Sequence, residues 1–260
     1  MVRVSTGAEL TVERVSVAFR GLQALNAVSV RASAGEITAL VGPNGAGKTT
    51  LLNAIGGFCA ITTGAIRLDG TPIHGLPAHR VAAQGVGRAF QFVELFRHLT
   101  VLDNLMLGRH LHMRAGLLAG AVFFGRSRRE QAAHRGRVEA IIEFLELERY
   151  RRDPVDSLPF GVQKLCGVAR ALAMEPRLLL LDEPSSGMNR EEKEDFARFL
   201  LRIKHERGTT VLWVEHDLEM VADLADRVTV LDFGQVIAEG PPAEALSAPP
   251  VVEAYLGRRP

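Results

Sequence analysis

The segment GPNGAGKT, Gly42 to Thr49, has the residue types and spacing of a phosphate-binding loop. It fits the pattern G-x-x-x-x-G-K-[ST] at each fixed position, between a predicted strand and a predicted helix. Glycines in such a loop let backbone N–H groups point at phosphate oxygens, and the helix N-terminus adds a partial positive charge. The segment therefore predicts a nucleoside triphosphate site.

Within this loop, we expect Lys48 to reach the β- and γ-phosphates and the Thr49 hydroxyl to bind Mg²⁺. An aromatic residue upstream, Phe19, is a candidate for stacking on adenine, and packing in the core is the alternative. The other predicted nucleotide contacts are Gly42, Pro43, Asn44, Gly45, Ala46, Gly47 and Thr50.

An acidic pair follows four consecutive leucines in LLLLDEP. Asp182 is predicted to stand at the end of a buried strand and to bind Mg²⁺. Glu183 is the next residue, placed to polarise an attacking water, and such general-base help contributes about 10²–10⁴-fold in rate. The alternative is a surface turn that happens to hold two acids.

Two further residues are candidates for the site only because the phosphate loop is present. His216 follows the apolar strand TTVLWV and is a candidate sensor of the γ-phosphate, although a lone histidine there is more often structural. Gln91 has an amide that could touch Mg²⁺ or orient water.

The composition is that of a globular protein with a core: 260 residues, 47% hydrophobic and 23% charged. The net charge of +1 gives no support for a nucleic-acid partner. The N-terminus lacks the apolar core of a signal peptide, and the longest uncharged apolar run, 115–125, is shorter than the roughly 20 residues of a membrane span. We therefore expect neither a signal peptide nor a transmembrane segment.

Basic residues are concentrated between Arg109 and Arg137, where seven arginines accompany one acid, Glu130. A solvated basic face is one interpretation. A surface near anionic lipid headgroups is the other.

Alternating and apolar runs predict strands at 10–19, 26–32, 36–42, 64–70, 177–183 and 209–216. Helices are predicted at 48–57, 129–150 and 189–206, the last with a capping box formed by Asn189 and Glu192. The pattern indicates an α/β core interrupted by a mainly helical segment.

In this order along the chain, the motifs resemble those of an ATP-binding-cassette (ABC) ATPase. The matches are Phe19 as the adenine-stacking aromatic, Gly42–Thr49 as the P-loop, Gln91 as the Q-loop, Asp182 and Glu183 as the Walker B pair, Ser186–Asn189 as the D-loop, and His216 as the switch histidine. The resemblance implies an α/β fold with a RecA-like core, an antiparallel β subdomain and an inserted α-helical subdomain. It places the catalytic lobe at 1–91 and 176–260 and the helical lobe, with the signature region, at 92–175.

Several longer stretches are similar to the longer of the two paired ATP-binding subunits of branched-chain amino acid importers. They are GVGRAFQFVELFRHLTVLDNL, the Arg-rich insertion, VEHDLEMV and GQVIAEGPPAEALSAPPVVEAYLG. The resemblance implies an ATPase at the cytoplasmic face of the membrane, with ATP and Mg²⁺ as cofactors. Its implied partners are membrane permease subunits, a second cassette and, indirectly, a solute-binding protein. The family also includes amide and urea importers, so the solute stays open.

The signature region is the unusual element. In LPFGVQKLCG, proline replaces the serine expected from L-S-G-G-Q, phenylalanine the first glycine and valine the glutamine. Gly161 is predicted to contact the partner's ATP in trans, and Gln163 is a candidate for part of the lost polar role. We hypothesise a weakened signature.

Two alternative functions are a non-transport cassette ATPase, regulatory or associated with nucleic acid, and a module that holds ATP but hydrolyses it poorly. The first class usually has two cassettes in one chain or a long coiled coil, and neither is visible in this sequence. Glu183 and His216 argue against the second, and the altered signature argues slightly for it.

The substitution Lys48→Ala tests the phosphate loop. Removing the ammonium group should weaken ATP binding, because hydrogen bonds to charged groups are each worth about 1.5–3 kcal/mol. Titration of the folded variant with ATP measures the effect, and an unaltered affinity would contradict the assignment.

Overall fold

The computed structural model describes residues 6–89, 95–113 and 126–256, and the strands within them form two sheets. The first is antiparallel, with the order β2-β1-β4-β5. Its strands are β1 (Leu10–Phe19), β2 (Leu22–Ala32), β4 (Thr63–Leu68) and β5 (Thr71–Pro72).

The second sheet has the order β10-β9-β3-β8-β7-β6. Its neighbouring strands are parallel except at β9 and β10, which pair antiparallel. The strands are β3 (Ile37–Val41), β6 (Val86–Ala89), β7 (Leu178–Asp182), β8 (Thr210–Val214), β9 (Arg227–Asp232) and β10 (Gln235–Gly240).

Helices cover this sheet and form most of the described part of the segment between β6 and β7. Among the described residues, none of them combines the length and the apolar character that crossing a membrane requires. The helices are α1 (Lys48–Ile55), α2 (Ala78–Ala83), α3 (Val101–Gly108), α4 (Arg126–Phe144), α5 (Phe160–Ala173), α6 (Arg190–Arg207), α7 (Leu218–Leu224), α8 (Pro242–Ser247) and α9 (Pro249–Leu256).

The apolar runs predicted as strands form β3, β7 and β8, and each of these strands is completely buried. In β7, Leu179 and Leu181 join one hydrophobic cluster, and Leu178 and Leu180 join the other. Successive side chains of a strand point to opposite faces, so the leucine run supplies both cores at once.

Helix α6 begins after Asn189 with the predicted capping box. The Asn189 side chain accepts a hydrogen bond from the Glu192 backbone N–H at 3.0 Å, and the Glu192 carboxylate accepts one from the Asn189 N–H at 2.9 Å. Its buried residues form one apolar stripe, which comprises Phe196, Phe199, Leu200 and Ile203.

The helix predicted over 129–150 is too long. It ends at Phe144, because Glu146 takes a left-handed φ of 56° while Leu145 and Leu147 are drawn into the core. A short 3₁₀ turn, Glu148–Tyr150, follows.

The basic stretch is partly internal, which neither interpretation anticipated. Arg109 is fully buried, donates to the carbonyl of Ala173 at 2.7 Å and pairs with Glu175 at 3.0 Å. Arg137 pairs with the same carboxylate, also at 3.0 Å. The predicted face therefore loses Arg109, whereas Arg137 stays exposed with its charge paired. The side chains of 114–128 lie outside the described residues.

Candidate functional site

The predicted site residues meet at one edge of the larger sheet. The phosphate loop follows β3, Asp182 ends β7, and His216 comes two residues after β8. Since these strands are parallel neighbours, their carboxyl ends lie side by side, which is where ligands bind in open α/β sheets.

At two glycines of the phosphate loop, neighbouring atoms leave no room for a side chain. Gly42 has a φ of 146°, and a Cβ there would lie 2.0 Å from the carbonyl oxygen of Leu231. Gly47 has a φ of 99°, and its Cβ would lie 2.7 Å from a methyl carbon of Leu25. An L side chain at either position would therefore displace the backbone or its neighbours.

Lys48 lies inside this loop rather than in solvent. Its ammonium group donates to the carbonyls of Gly42 and Pro43 at 2.7 and 2.9 Å. Burial lowers the pKa of Lys48, and the nearby Glu183 and Asp182 carboxylates oppose that shift. The two carboxylates thus help to keep the buried amine charged.

Thr49 and Asp182, the two described residues that we predict to bind Mg²⁺, lie close together. The Thr49 hydroxyl donates to Oδ1 of Asp182 at 3.4 Å, across 133 positions of sequence. Hydroxyl and carboxylate oxygens are the hard donors that Mg²⁺ prefers, so these two residues fit a magnesium site.

Glu183 and His216 form a direct contact. The His216 Nε2 and the Glu183 carboxylate share a hydrogen bond, which brings the predicted base and the predicted sensor together. Glu183 has a φ of 47°, an uncommon value outside glycine, and its N–H donates to the carbonyl of Val214 at 3.0 Å. Strain of this kind is frequent at functional sites, and here the end of β8 holds it in place.

Sequence reasoning missed Glu215, which organises the turn around this pair. Its buried carboxylate accepts hydrogen bonds from the Ser185 hydroxyl at 2.7 Å, the Trp213 indole at 3.3 Å and the His216 backbone N–H at 2.9 Å. The only sequence signal was an acid directly after an apolar strand, which carries no specific pattern.

A cavity of about 620 Å³ lies beside the phosphate loop, between β2 and Glu183. Phe19 is half-exposed at the end of β1, so the core-packing alternative does not hold, but Phe19 does not line this cavity. Phe233 does line it, is 87% exposed and was missed. Stacking of Phe19 on adenine stays a prediction, and Gln91 lies outside the described residues.

The signature region begins α5. Pro159 is exposed at the N-cap, whereas Gly161 is buried, and a Cβ on Gly161 would lie 2.4 Å from the Glu192 carboxylate. The Gln163 amide donates to the carbonyl of Leu158 at 2.9 Å, so its side chain serves its own helix start. Contact of Gly161 with a partner's ATP stays a prediction.

Comparison with known proteins shows the family to which the chain belongs. The family model described as ABC transporter matches residues 25–186, which include the phosphate loop and the acidic pair. This chain belongs to the ABC transporter family. As such it is an ATPase, with the α/β cassette fold that the resemblance implied.

Individual relatives and solved structures show which ABC transporter proteins the chain is similar to. The chain is 37% identical over 254 residues to the high-affinity branched-chain amino acid transport ATP-binding protein BraF of Pseudomonas aeruginosa, covering 95% of this chain and 97% of that one. It superposes on the ADP conformation of the cassette MJ1267 with a TM-score of 0.83 and 30% identity, covering 96% of this chain and 99% of that one. A dimeric structure of the bacterial cassette MJ0796 gives a TM-score of 0.75 and 27% identity, covering 89% and 98%.

The substitution Glu183→Gln tests the hydrolytic pair in this ABC ATPase. The amide keeps the size and a hydrogen bond to His216 but cannot accept a proton, so turnover should fall by about 10²–10⁴-fold. ATP binding should persist. Steady-state phosphate release measures turnover, and an ATP titration of the same variant measures binding. Glu191→Gln, an exposed acid on α6, is the matched control, and unchanged hydrolysis in Glu183→Gln would refute the assignment.

Proposed function

We propose that this ABC ATPase drives import of branched-chain amino acids or of related small polar solutes such as amides and urea. The observation that carries the proposal is the assembled edge at which Lys48, Thr49, Asp182, Glu183 and His216 meet. The similarity to BraF along almost the whole chain supports the solute class. We place the protein on the cytoplasmic face of the membrane.

In this proposal Thr49 and Asp182 hold Mg²⁺, together with Gln91. The ion neutralises charge on the transferred phosphate when it is bound. Lys48 binds the phosphate oxygens, Glu183 takes a proton from the attacking water, and His216 steadies the Glu183 carboxylate through their hydrogen bond. The backbone of the phosphate loop adds N–H donors aimed at the anion.

A groove beside β6, at the end of the larger sheet, is our proposed docking surface for a permease helix. Its cavity of about 390 Å³ lies between α2, α3 and α5. Phe58, Phe96 and Leu107 line it and are 53%, 58% and 41% exposed, so large apolar side chains face an opening. A short apolar helix of a membrane subunit fits such a surface.

We also retain the predicted lobes, 1–91 with 176–260 and 92–175, and a head-to-tail pair of cassettes. The dimeric MJ0796 cassette supports pairing, and whether the second cassette is a copy of this chain is part of the test.

Co-expression with candidate permease subunits and a solute-binding protein tests the transport function. The assembled complex in liposomes should accumulate a branched-chain amino acid, an amide or urea when ATP is supplied. Glu183→Gln in the same complex should abolish uptake without loss of assembly. Failure to form a membrane complex, with ATPase activity intact, would instead favour a cassette ATPase outside transport.

The substitution Pro159→Ser tests the weakened signature. It restores the hydroxyl donor at the start of α5, so turnover at the partner's ATP should rise. The measurement is phosphate release by the assembled cassette pair, and Pro241→Ser, an exposed proline at the N-cap of α8, is the matched control. Equal rates for Pro159→Ser and wild type would mean that the missing serine is not a defect.

A further inference from the structure

A buried arginine in β6, the last strand in the order of the larger sheet, reaches the site from the face that α1 covers. The Arg88 side chain is only 7% exposed and pairs with Oδ2 of Asp182 at 3.1 Å. Its second terminal nitrogen donates to the Asn53 side chain at 2.7 Å. Arg88 therefore joins β6 and β7 to α1, the helix that begins with Lys48.

The two oxygens of Asp182 have different partners. Oδ2 accepts from Arg88, while Oδ1 faces the hydroxyl of Thr49 at 3.4 Å. Turning the plane of the carboxylate away from this orientation would break the Arg88 pair and carry the other oxygen away from Thr49. The arginine thus holds the plane of the Asp182 carboxylate so that one oxygen faces the phosphate loop.

The guanidinium group is itself held in place. Its central carbon lies 5.3 Å from the ring centroid of Phe58, a distance at which a cation is attracted to an aromatic face. Phe58 and Arg88 both line the groove described above. A single side chain therefore connects that groove to the Asp182 carboxylate.

We infer that Arg88 is a positioning residue, which holds Asp182 so that Oδ1 is presented to Mg²⁺ beside Thr49. The inference rests on the proposed magnesium site. It does not depend on the solute or the permease. Arginine suits the role because its planar fork bonds two acceptors at once, whereas lysine keeps the charge without the fork.

An ion pair that only supports the core is the competing explanation. Replacing a buried pair partner can destabilise a protein, so loss of stability does not separate the two. The distinguishing quantity is the gain in ATP affinity that Mg²⁺ provides, because a core contact would not alter that gain selectively.

The experiment compares Arg88→Met and Arg88→Lys with wild type in ATP titrations, with Mg²⁺ and with EDTA. In Arg88→Met we expect the Mg²⁺-dependent gain in affinity to fall by about 10–100-fold, the usual cost of losing a residue behind a metal ligand. Affinity in EDTA should stay within about twofold of wild type, since Lys48 and the loop backbone are untouched. Arg88→Lys should lose less, and it carries the test if Arg88→Met does not fold.

A double mutant with Asp182→Asn adds a second readout. If Arg88 acts through Asp182, adding Arg88→Met to Asp182→Asn should lower the Mg²⁺ gain no further, whereas independent effects would multiply. Arg31→Met, which removes an exposed pair with Glu9 in the antiparallel sheet, is the matched control. The inference would be wrong if the folded Arg88 variants gained as much ATP affinity from Mg²⁺ as wild type does. It would also be wrong if the losses from Arg88→Met and Asp182→Asn multiplied in the double mutant. No gain in wild type would instead overturn the proposed magnesium site.

Discussion

The site depends on one buried carboxylate. Burial raises the pKa of Asp182, and the Arg88 guanidinium opposes that shift. Taking an ion out of water costs several kcal/mol, which is recovered only when good partners surround it. Arg88 and the Thr49 hydroxyl are such partners, and they stabilise the ionised form of Asp182 that the proposed magnesium site requires.

Those partners come from distant parts of the chain, and the sheet brings them together. β3, β8, β7 and β6 are consecutive parallel strands, so the segments that follow them open at the same edge. Complete burial of β3, β7 and β8 stabilises this order, because each contributes apolar side chains to the cores on both faces. The packing that stabilises the fold therefore also sets the spacing of the site.

The sequence predicted the parts whose physics is local. The loop from Gly42 to Thr49 and the acidic pair were recognisable because their residues are adjacent and their backbone demands are specific. Arg88 and Glu215 were not, since their roles come from partners 94 and 30 positions away. The end of α4 was missed for a related reason: packing of Leu145 and Leu147 outweighed the helical propensity beyond Phe144.

The free energies of the contacts at the start of α5 determine how well the altered signature can bind a phosphate. A hydrogen bond to a charged group is worth about 1.5–3 kcal/mol, whereas the partial charge of a helix N-terminus contributes about 0.3–1 kcal/mol at an exposed position. The start of α5 can thus replace only part of what a serine would supply to a partner's phosphate. The Gln163 amide donates to the Leu158 carbonyl, so this side chain does not replace the missing hydroxyl. In the proposed pair of cassettes, the loop of this chain would then bind its own ATP strongly, while the ATP that faces its signature would be held less firmly.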